Sequence, residues 1–236
     1  MKKILITGAT SGIGKGLVEI YQEHAHVYAC GRNAEVLSRY NAHDNITPLQ
    51  FDVTDIDDIK LKTASIDSID ILVLNAGNCE YIDDARNFDS VLFERVVRVN
   101  LLSIGYCLDV LLRKVKPGGQ LVIVSSSAAF LALPRAQAYG ASKAAATYLA
   151  QTLAVDLKDI DVSVVHPGFV KTPLTDKNDF PMPMAVTVDE AAIYIKKGVE
   201  KRKRDIHFPK RFTIIMKLFQ LLPFGMWKVI AKGLSR

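Results

Sequence analysis

Met1-Lys-Lys-Ile-Leu-Ile-Thr7-Gly-Ala-Thr-Ser-Gly-Ile-Gly14 opens the chain, and its reading decides the fold. The run from Met1 to Ile6 is short and apolar, as expected of a strand buried on both faces of a parallel sheet. Glycines at 8, 12 and 14 then permit a tight turn before a helix expected from about Lys15 to Glu23. In that position the backbone can approach a pyrophosphate closely, and the helix N-terminus favours its negative charge. The spacing is not that of the common dinucleotide fingerprint, which keeps two residues between its last two glycines. A Walker loop is excluded as well, since Gly16 follows Lys15 where Ser or Thr is needed and Ala9 stands where the first glycine should be. Strand, glycine turn and helix in this order predict an α/β chain whose sheet binds a nucleotide at its carboxyl edge.

A second stretch, Tyr139-Gly-Ala-Ser-Lys143, carries chemistry. Residues four apart share one helix face, so the Lys143 ammonium can lie beneath the Tyr139 phenol. A free phenol has a pKa of about 10 and exchanges protons poorly at neutral pH, and an adjacent cation is expected to lower that value. Ser126 follows the expected strand Gln120 to Val124, where its hydroxyl can hold a carbonyl or alcohol oxygen in line with the phenol. The Tyr-x-x-x-Lys spacing recurs on many unrelated helices, so its weight comes from the company it keeps.

That company resembles the classical short-chain dehydrogenase/reductase family. Thr7-Gly8-x-x-x-Gly12-x-Gly14 is similar to the family's cofactor loop, which brings in Thr10, Ser11 and Ile13. Asp52-Val53 resembles its adenine-contacting pair and Asn75-Ala76-Gly77 its Asn-Ala-Gly element. Asn100, Ser126, Tyr139 and Lys143 resemble its catalytic tetrad, and the step from Ser126 to Tyr139 matches the family and singles out Ser126 from Ser125 and Ser127. Pro167-Gly168-x-Val170-x-Thr172 resembles its nicotinamide-side loop. The resemblance implies a single doubly wound domain over residues 1–208, with a seven-stranded, mostly parallel sheet and helices on both faces. It also implies interconversion of a carbonyl and an alcohol by hydride transfer. Tyr139 would act as general acid/base, Lys143 would hold the nicotinamide ribose, Ser126 would position the oxygen, and Asn100 would hold a water that relays protons to Lys143. A homodimer or homotetramer through the Asn100 helix and the Ala-rich Tyr139 helix is implied too. A non-catalytic redox sensor or scaffold that keeps the nucleotide site is the competing class, and the intact tetrad argues against it.

The second strand, His26 to Cys30, ends in Gly31-Arg32-Asn33. A carboxylate at this place would take the ribose hydroxyls of NAD and repel a 2′-phosphate, whereas a guanidinium holds that phosphate through paired charged hydrogen bonds. Arg32 therefore points to NADP(H) in preference to NAD.

The expected order continues with a strand at Thr47 to Phe51, a short helix at Asp55 to Ser65 and a strand at Ile69 to Leu74. A long helix from about Phe88 to Lys114, a turn at Pro117-Gly118-Gly119 and a helix from Tyr139 to Leu157 follow. Then come strands at Val162 to Val165 and Ile206 to Phe208, with a capping-box helix opening at Thr187 between them. The loop from Lys171 to Val188, with Phe180, Met182 and Met184, is expected to line an apolar substrate pocket. Three scattered cysteines and five histidines without ligand spacing give neither a disulfide framework nor a metal site. No leader precedes the first strand, so a cytoplasmic protein with reduced thiols is expected, with peripheral placement at the inner face of a membrane as the alternative.

The net charge of +5 is concentrated in the tail, residues 209–236, which carries no nucleic-acid motif. Leu218 to Trp227 is too short and interrupted to span a bilayer. Residues 213–232, basic and aromatic, either lie on a membrane surface or pack on the domain as a lid or oligomer contact.

Overall fold

Alternation along the first strand sets the layers. In the computed structural model, which describes residues 1–176 and 178–233, β1 (Lys2–Thr7) sends Ile4 and Ile6 into one hydrophobic core and Leu5 into another. The expected substrate loop and tail each extend onto residues (177 and 234–236) outside the described ones. Chain order continues through α1 (Gly12–Tyr21), β2 (Ala25–Gly31), α2 (Ala34–Arg39), β3 (Ile46–Gln50), α3 (Ile56–Lys62) and β4 (Ile69–Leu74). Next come α4 (Ser90–Val97), α5 (Ser103–Leu111), β5 (Val115–Val124), α6 (Gln137–Asp156), β6 (Asp161–Pro167), α7 (Val188–Glu200) and β7 (Asp205–Phe208). Two tail helices, α8 (Lys210–Gln220) and α9 (Phe224–Gly233), complete the chain.

The seven strands form one sheet in the order β3-β2-β1-β4-β5-β6-β7, and every pairing is parallel. Val73, Val122 and Val165 share the first core with Leu17 of α1 and Ile195 of α7. Leu72, Leu121 and Ile123 share the second with Ile59 of α3, Leu111 of α5 and Ala146 of α6. Helices thus cover both faces, as a parallel sheet with apolar strands requires. The carboxyl ends of the central strands open at one edge, where open α/β sheets bind ligands.

Several boundaries differ from expectation for local reasons. α1 begins at Gly12, inside the glycine turn, and ends at Tyr21. α2 was not anticipated; Asn33 starts it by accepting the Val36 N–H at 3.0 Å. The expected turn Pro117-Gly118-Gly119 lies within β5 as a bulge, because Ile69 pairs with Val115 and Ile71 already with Gln120. Gly118 has φ +76° and donates its N–H to Asp159 O, which keeps the bulged chain in place. The expected long helix starts at Ser90, capped by Asp89, and is interrupted at Arg98–Leu102 by a π-helical turn. At α7 the capping box is present in full: Thr187 N–H donates to Glu190 Oε2 and Glu190 N–H to Thr187 Oγ1.

The tail packs onto the body of the protein. Met216 and Trp227 are buried against Leu131, with Phe130, Leu133, Phe212 and Phe219 around them. The Trp227 indole N–H donates to Ala132 O at 2.8 Å. Lys217 pairs with Asp205 at the start of β7, and Asp205 also pairs with the buried His166 at 2.9 Å. Burial works against ionisation of Asp205, but hydrogen bonds from His166 and Lys217 hold its carboxyl well below the usual range. No helix among the described residues is long and apolar enough to cross a membrane.

Candidate active site

Thr7 and Asn75 join the two central strand ends. The buried Thr7 hydroxyl accepts N–H groups from Asn75 and Ala76 at 3.0 and 3.1 Å, and Asn75 Nδ2 donates to Thr7 O at 3.0 Å. Next to them Gly8 takes φ +67°, a conformation side chains rarely adopt. Gly14 permits the closest approach: a Cβ there would lie 2.1 Å from Gly8 O. The glycines thus close the turn on itself and leave a cleft of about 540 Å³ above it.

The cleft collects nearly every residue expected at the cofactor site. Gly8, Thr10, Ser11, Gly12 and Ile13 form its floor, and Arg32, Asp52 and Val53 lie at one end. Asn75, Ala76 and Gly77 form one wall, Pro167, Gly168, Val170 and Thr172 the opposite one, and Ser126, Tyr139 and Lys143 the far end. Gly14 and Asn100 are the two exceptions. Gly14 sits behind the turn against Gly8, and Asn100 is fully buried behind the wall. Asn33, Phe51, Asn78 and Ser125 also line the cleft and were not anticipated as lining residues. Each directly adjoins an anticipated one, so strand-end position was the available signal.

At the Arg32 end, the guanidinium stands 3.4 Å from the Asp52 carboxylate and is largely exposed. Burial opposes ionisation of Asp52, but the Thr54 N–H and hydroxyl at 2.8 Å, with Arg32 beside them, hold its carboxyl below the usual range. Arg32 therefore presents donors to the cleft beside the Asp52 carboxylate.

At the far end, Lys143 is 4% exposed and its Nζ donates to Val124 O at 3.0 Å. Its carbonyl accepts from Ser125 Oγ at 2.8 Å and Thr147 Oγ1 at 2.9 Å, which fastens α6 to the end of β5. Ser126 Oγ accepts from Ala128 N–H at 3.1 Å and reaches the half-buried Tyr139 phenol. The Tyr139 phenol is shifted opposite to the lowering expected from Lys143. Burial, with the Cys79 thiol nearby, raises the Tyr139 pKa, and the Ser126 hydrogen bond only partly opposes the rise. The ammonium lies 5.9 Å from the Tyr139 ring centre, and burial brings its own pKa down to about 8. Water exclusion penalises the charged form of both groups.

Asn100 sits in the π-helical turn, with Nδ2 donating to Asn78 O at 2.9 Å and Ser142 Oγ at 3.0 Å. Its Oδ1 accepts from Asn78 N–H at 2.8 Å. A Cβ on Gly77 would fall 3.0 Å from Asn100 Oδ1 and 3.2 Å from Lys143 Nζ, so both groups flank that glycine.

Over the cleft, the loop after Val170 returns to pair with the chain at Val186. Arg135, at φ +62°, ties that loop down: Nη1 bonds Asp179 at 2.8 Å and Nε bonds Asp83 at 2.7 Å. Its guanidinium also lies over the Tyr81 ring, and Tyr81, Phe180, Phe169 and Phe212 make successive ring contacts. Nothing in the sequence pattern marks Arg135 for this role, because its partners come from two loops distant in sequence, Tyr81 and Asp83 on one and Asp179 on the other.

Residues 2–181 match the short chain dehydrogenase family, and the chain belongs to it. An uncharacterized oxidoreductase of Myxococcus xanthus is 30% identical over 98% of this chain and 96% of its own length. A 3beta-hydroxysteroid dehydrogenase of Mediterraneibacter gnavus is 33% identical over 75% of this chain and 69% of its own. Among solved structures, a short chain dehydrogenase of Burkholderia cenocepacia in complex with NADP covers 98% of this chain and 99% of its own, at TM-score 0.85 and 23% identity. One from Burkholderia phymatum in complex with NAD covers 92% of each chain, at TM-score 0.81 and 18% identity. The fold is thus that of the family, and the protein is an oxidoreductase of the short-chain type.

Proposed function

We propose that the protein interconverts a carbonyl and an alcohol on an apolar substrate, using NADP(H). The observation that supports this reading is the meeting of Tyr139, Ser126 and Lys143 at one end of a nucleotide-sized cleft whose other end carries Arg32. The cleft suits a dinucleotide: the glycine turn leaves room for a pyrophosphate, and the Arg32 guanidinium suits a 2′-phosphate. A nicotinamide bound there supplies or accepts the hydride at the carbonyl carbon. In reduction, Ser126 donates a hydrogen bond to the carbonyl oxygen and Tyr139 delivers its proton to the developing alkoxide. The raised phenol pKa keeps that proton in place until charge builds on the oxygen. Lys143 holds positive charge beside the resulting phenolate, and Asn100 keeps the wall behind it in register. Oxidation runs the same path backwards. The aromatic cover of Tyr81, Phe169 and Phe180 favours a hydrophobic substrate, and the hydroxysteroid activity named for one relative fits that class. Exposed Val91 on α4 and Tyr148 and Val155 on α6 fit a homodimer or homotetramer built through these helices.

NADPH oxidation over a panel of hydrophobic ketones and aldehydes tests the reading. Turnover is expected with NADPH in preference to NADH, and Tyr139→Phe should lower kcat by about 10²–10⁴-fold while NADPH still binds. Cofactor binding without turnover on any carbonyl would favour the sensor reading. Undiminished turnover by Tyr139→Phe would remove Tyr139 as the acid.

A further inference from the structure

The tail helices are amphipathic, and the protein covers only one side of them. On α8 the positions that turn inward, Thr213 and Met216, are buried, and Trp227 does the same for α9. The opposite side of α8 shows Ile214, Ile215, Leu218 and Leu221 to solvent, and α9 adds Phe224 and Val229. Leu218 is 59% exposed and Leu221 80%. Eight of the nineteen exposed large apolar side chains among the described residues fall within residues 210–233, about a tenth of the chain. Such a concentration is a patch and not the usual scatter of single surface residues.

Charge says what the patch fits. After Asp205 the sequence holds six Lys and Arg residues and no acid, while the whole chain carries +5, so the first 205 residues stand at −1. Lys210, Arg211 and Lys228 are exposed on the same two helices. By helical spacing Arg211 lies between Ile215 and Leu218 on the outward side of α8. An apolar surface beside the exposed cations Lys210, Arg211 and Lys228 is complementary to an anionic lipid headgroup layer over acyl chains.

We propose that the outward face of α8 and α9 docks the protein on an anionic phospholipid bilayer. Phe212 at the start of α8 packs on Phe169, and a Cβ on Gly168 would lie 2.8 Å from the Phe212 ring, so the lipid-facing helix backs the cleft wall at Gly168. An apolar substrate dissolved in the bilayer then reaches the cleft without crossing water. The delivery of substrate rests on the proposed carbonyl chemistry, whereas the docking does not.

Sedimentation of the full-length protein with vesicles, without substrate, tests the docking. Vesicles of phosphatidylcholine with about a third phosphatidylserine should retain at least tenfold more protein than pure phosphatidylcholine. Lys210→Glu with Arg211→Glu, and separately Leu218→Glu with Leu221→Glu, should each lower retention at least tenfold, from about fivefold per basic residue at the surface. Thermal unfolding and NADPH binding of both variants should match wild type, since the changed side chains are exposed. Absence of binding to phosphatidylserine vesicles, or equal binding by the variants, overturns the proposal. So does a lipid-free dimer in light scattering that Leu218→Glu with Leu221→Glu dissociates, because a second copy is then the occupant. Binding to vesicles with no turnover on any carbonyl leaves the docking standing and overturns only the enzyme reading.

Discussion

Lys143 carries its ammonium into a cleft that supplies one hydrogen-bond acceptor, Val124 O, and burial brings its pKa down from 10.5 to about 8. The charged form is therefore present at neutral pH and lost as pH rises through about 8. In the proposed reduction Tyr139 needs that charge next to the forming phenolate, so kcat/KM for NADPH should be level near pH 7 and fall about tenfold per unit above pH 8. Stability moves the other way. Between about 8 and 10.5 the folded chain has shed the Lys143 proton and the unfolded chain has not, so this group makes unfolding harder as pH rises. Lost activity above pH 8 is then not lost structure. A pH–rate profile that stays level to pH 10 would show that the Lys143 charge is not needed. Tyr139, Ser126 and Lys143 were legible as a set through the family resemblance, spacing alone being too common, and the structure brings the three together at one end of the cleft. The direction of the phenol shift was not, because it depends on how much water the rest of the chain excludes.

At the scale of elements, the interruption of the Ser90–Leu111 stretch by a π-helical turn points Asn100 inward. Extra-wide turns of this kind are frequent at functional sites. Its amide satisfies both backbone groups of Asn78 and meets Ser142, so Asn100→Ala strands polar groups on the segment that follows Gly77. We expect a loss of about 2–3 kcal/mol, the lower part of the range for two orphaned groups because Asn78 is only half-buried. Urea unfolding reads this directly, and a change below about 1 kcal/mol would mean that water replaces the amide without cost. Most strands were legible, since each is a short apolar run closed by a glycine, proline or polar motif. The helix interior was less so. Asn100 stood out by its helical position and company, but an extra residue in one turn leaves no mark on hydrophobic periodicity. The bulge at Pro117-Gly118-Gly119 read as a turn because a turn and an in-sheet bulge use the same residues, and only the partner register at Ile71–Gln120 separates them.

On the scale of the whole molecule, the tail decides what surrounds the cleft. Its sequence left packing and membrane contact as alternatives, and the geometry gives opposite faces of the same helices to different surroundings. Trp227 is the anchor of the inner face: it is 4% exposed, its indole N–H bonds Ala132 O, and its ring meets Phe219. Removing a buried Trp costs about 3–5 kcal/mol in a core. No other side chain of α9 is fully buried, so Trp227→Ala should release the helix locally instead of unfolding the sheet. Global thermal unfolding is then expected to shift by only a few degrees, while trypsin cleaves after Lys228 at least tenfold faster. The segment Phe130–Leu133 loses its cover and adjoins His166 through Phe130 at 4.6 Å. The KM for a hydrophobic carbonyl should therefore rise severalfold, while that for NADPH, whose proposed site at Arg32 and the glycine turn lies at the opposite end, should stay within about twofold of wild type. A collapse of global stability by more than 10 °C, against about 2–4 °C per kcal/mol for a chain of this size, would show that the tail is integral to the folding unit and that the body does not stand without it.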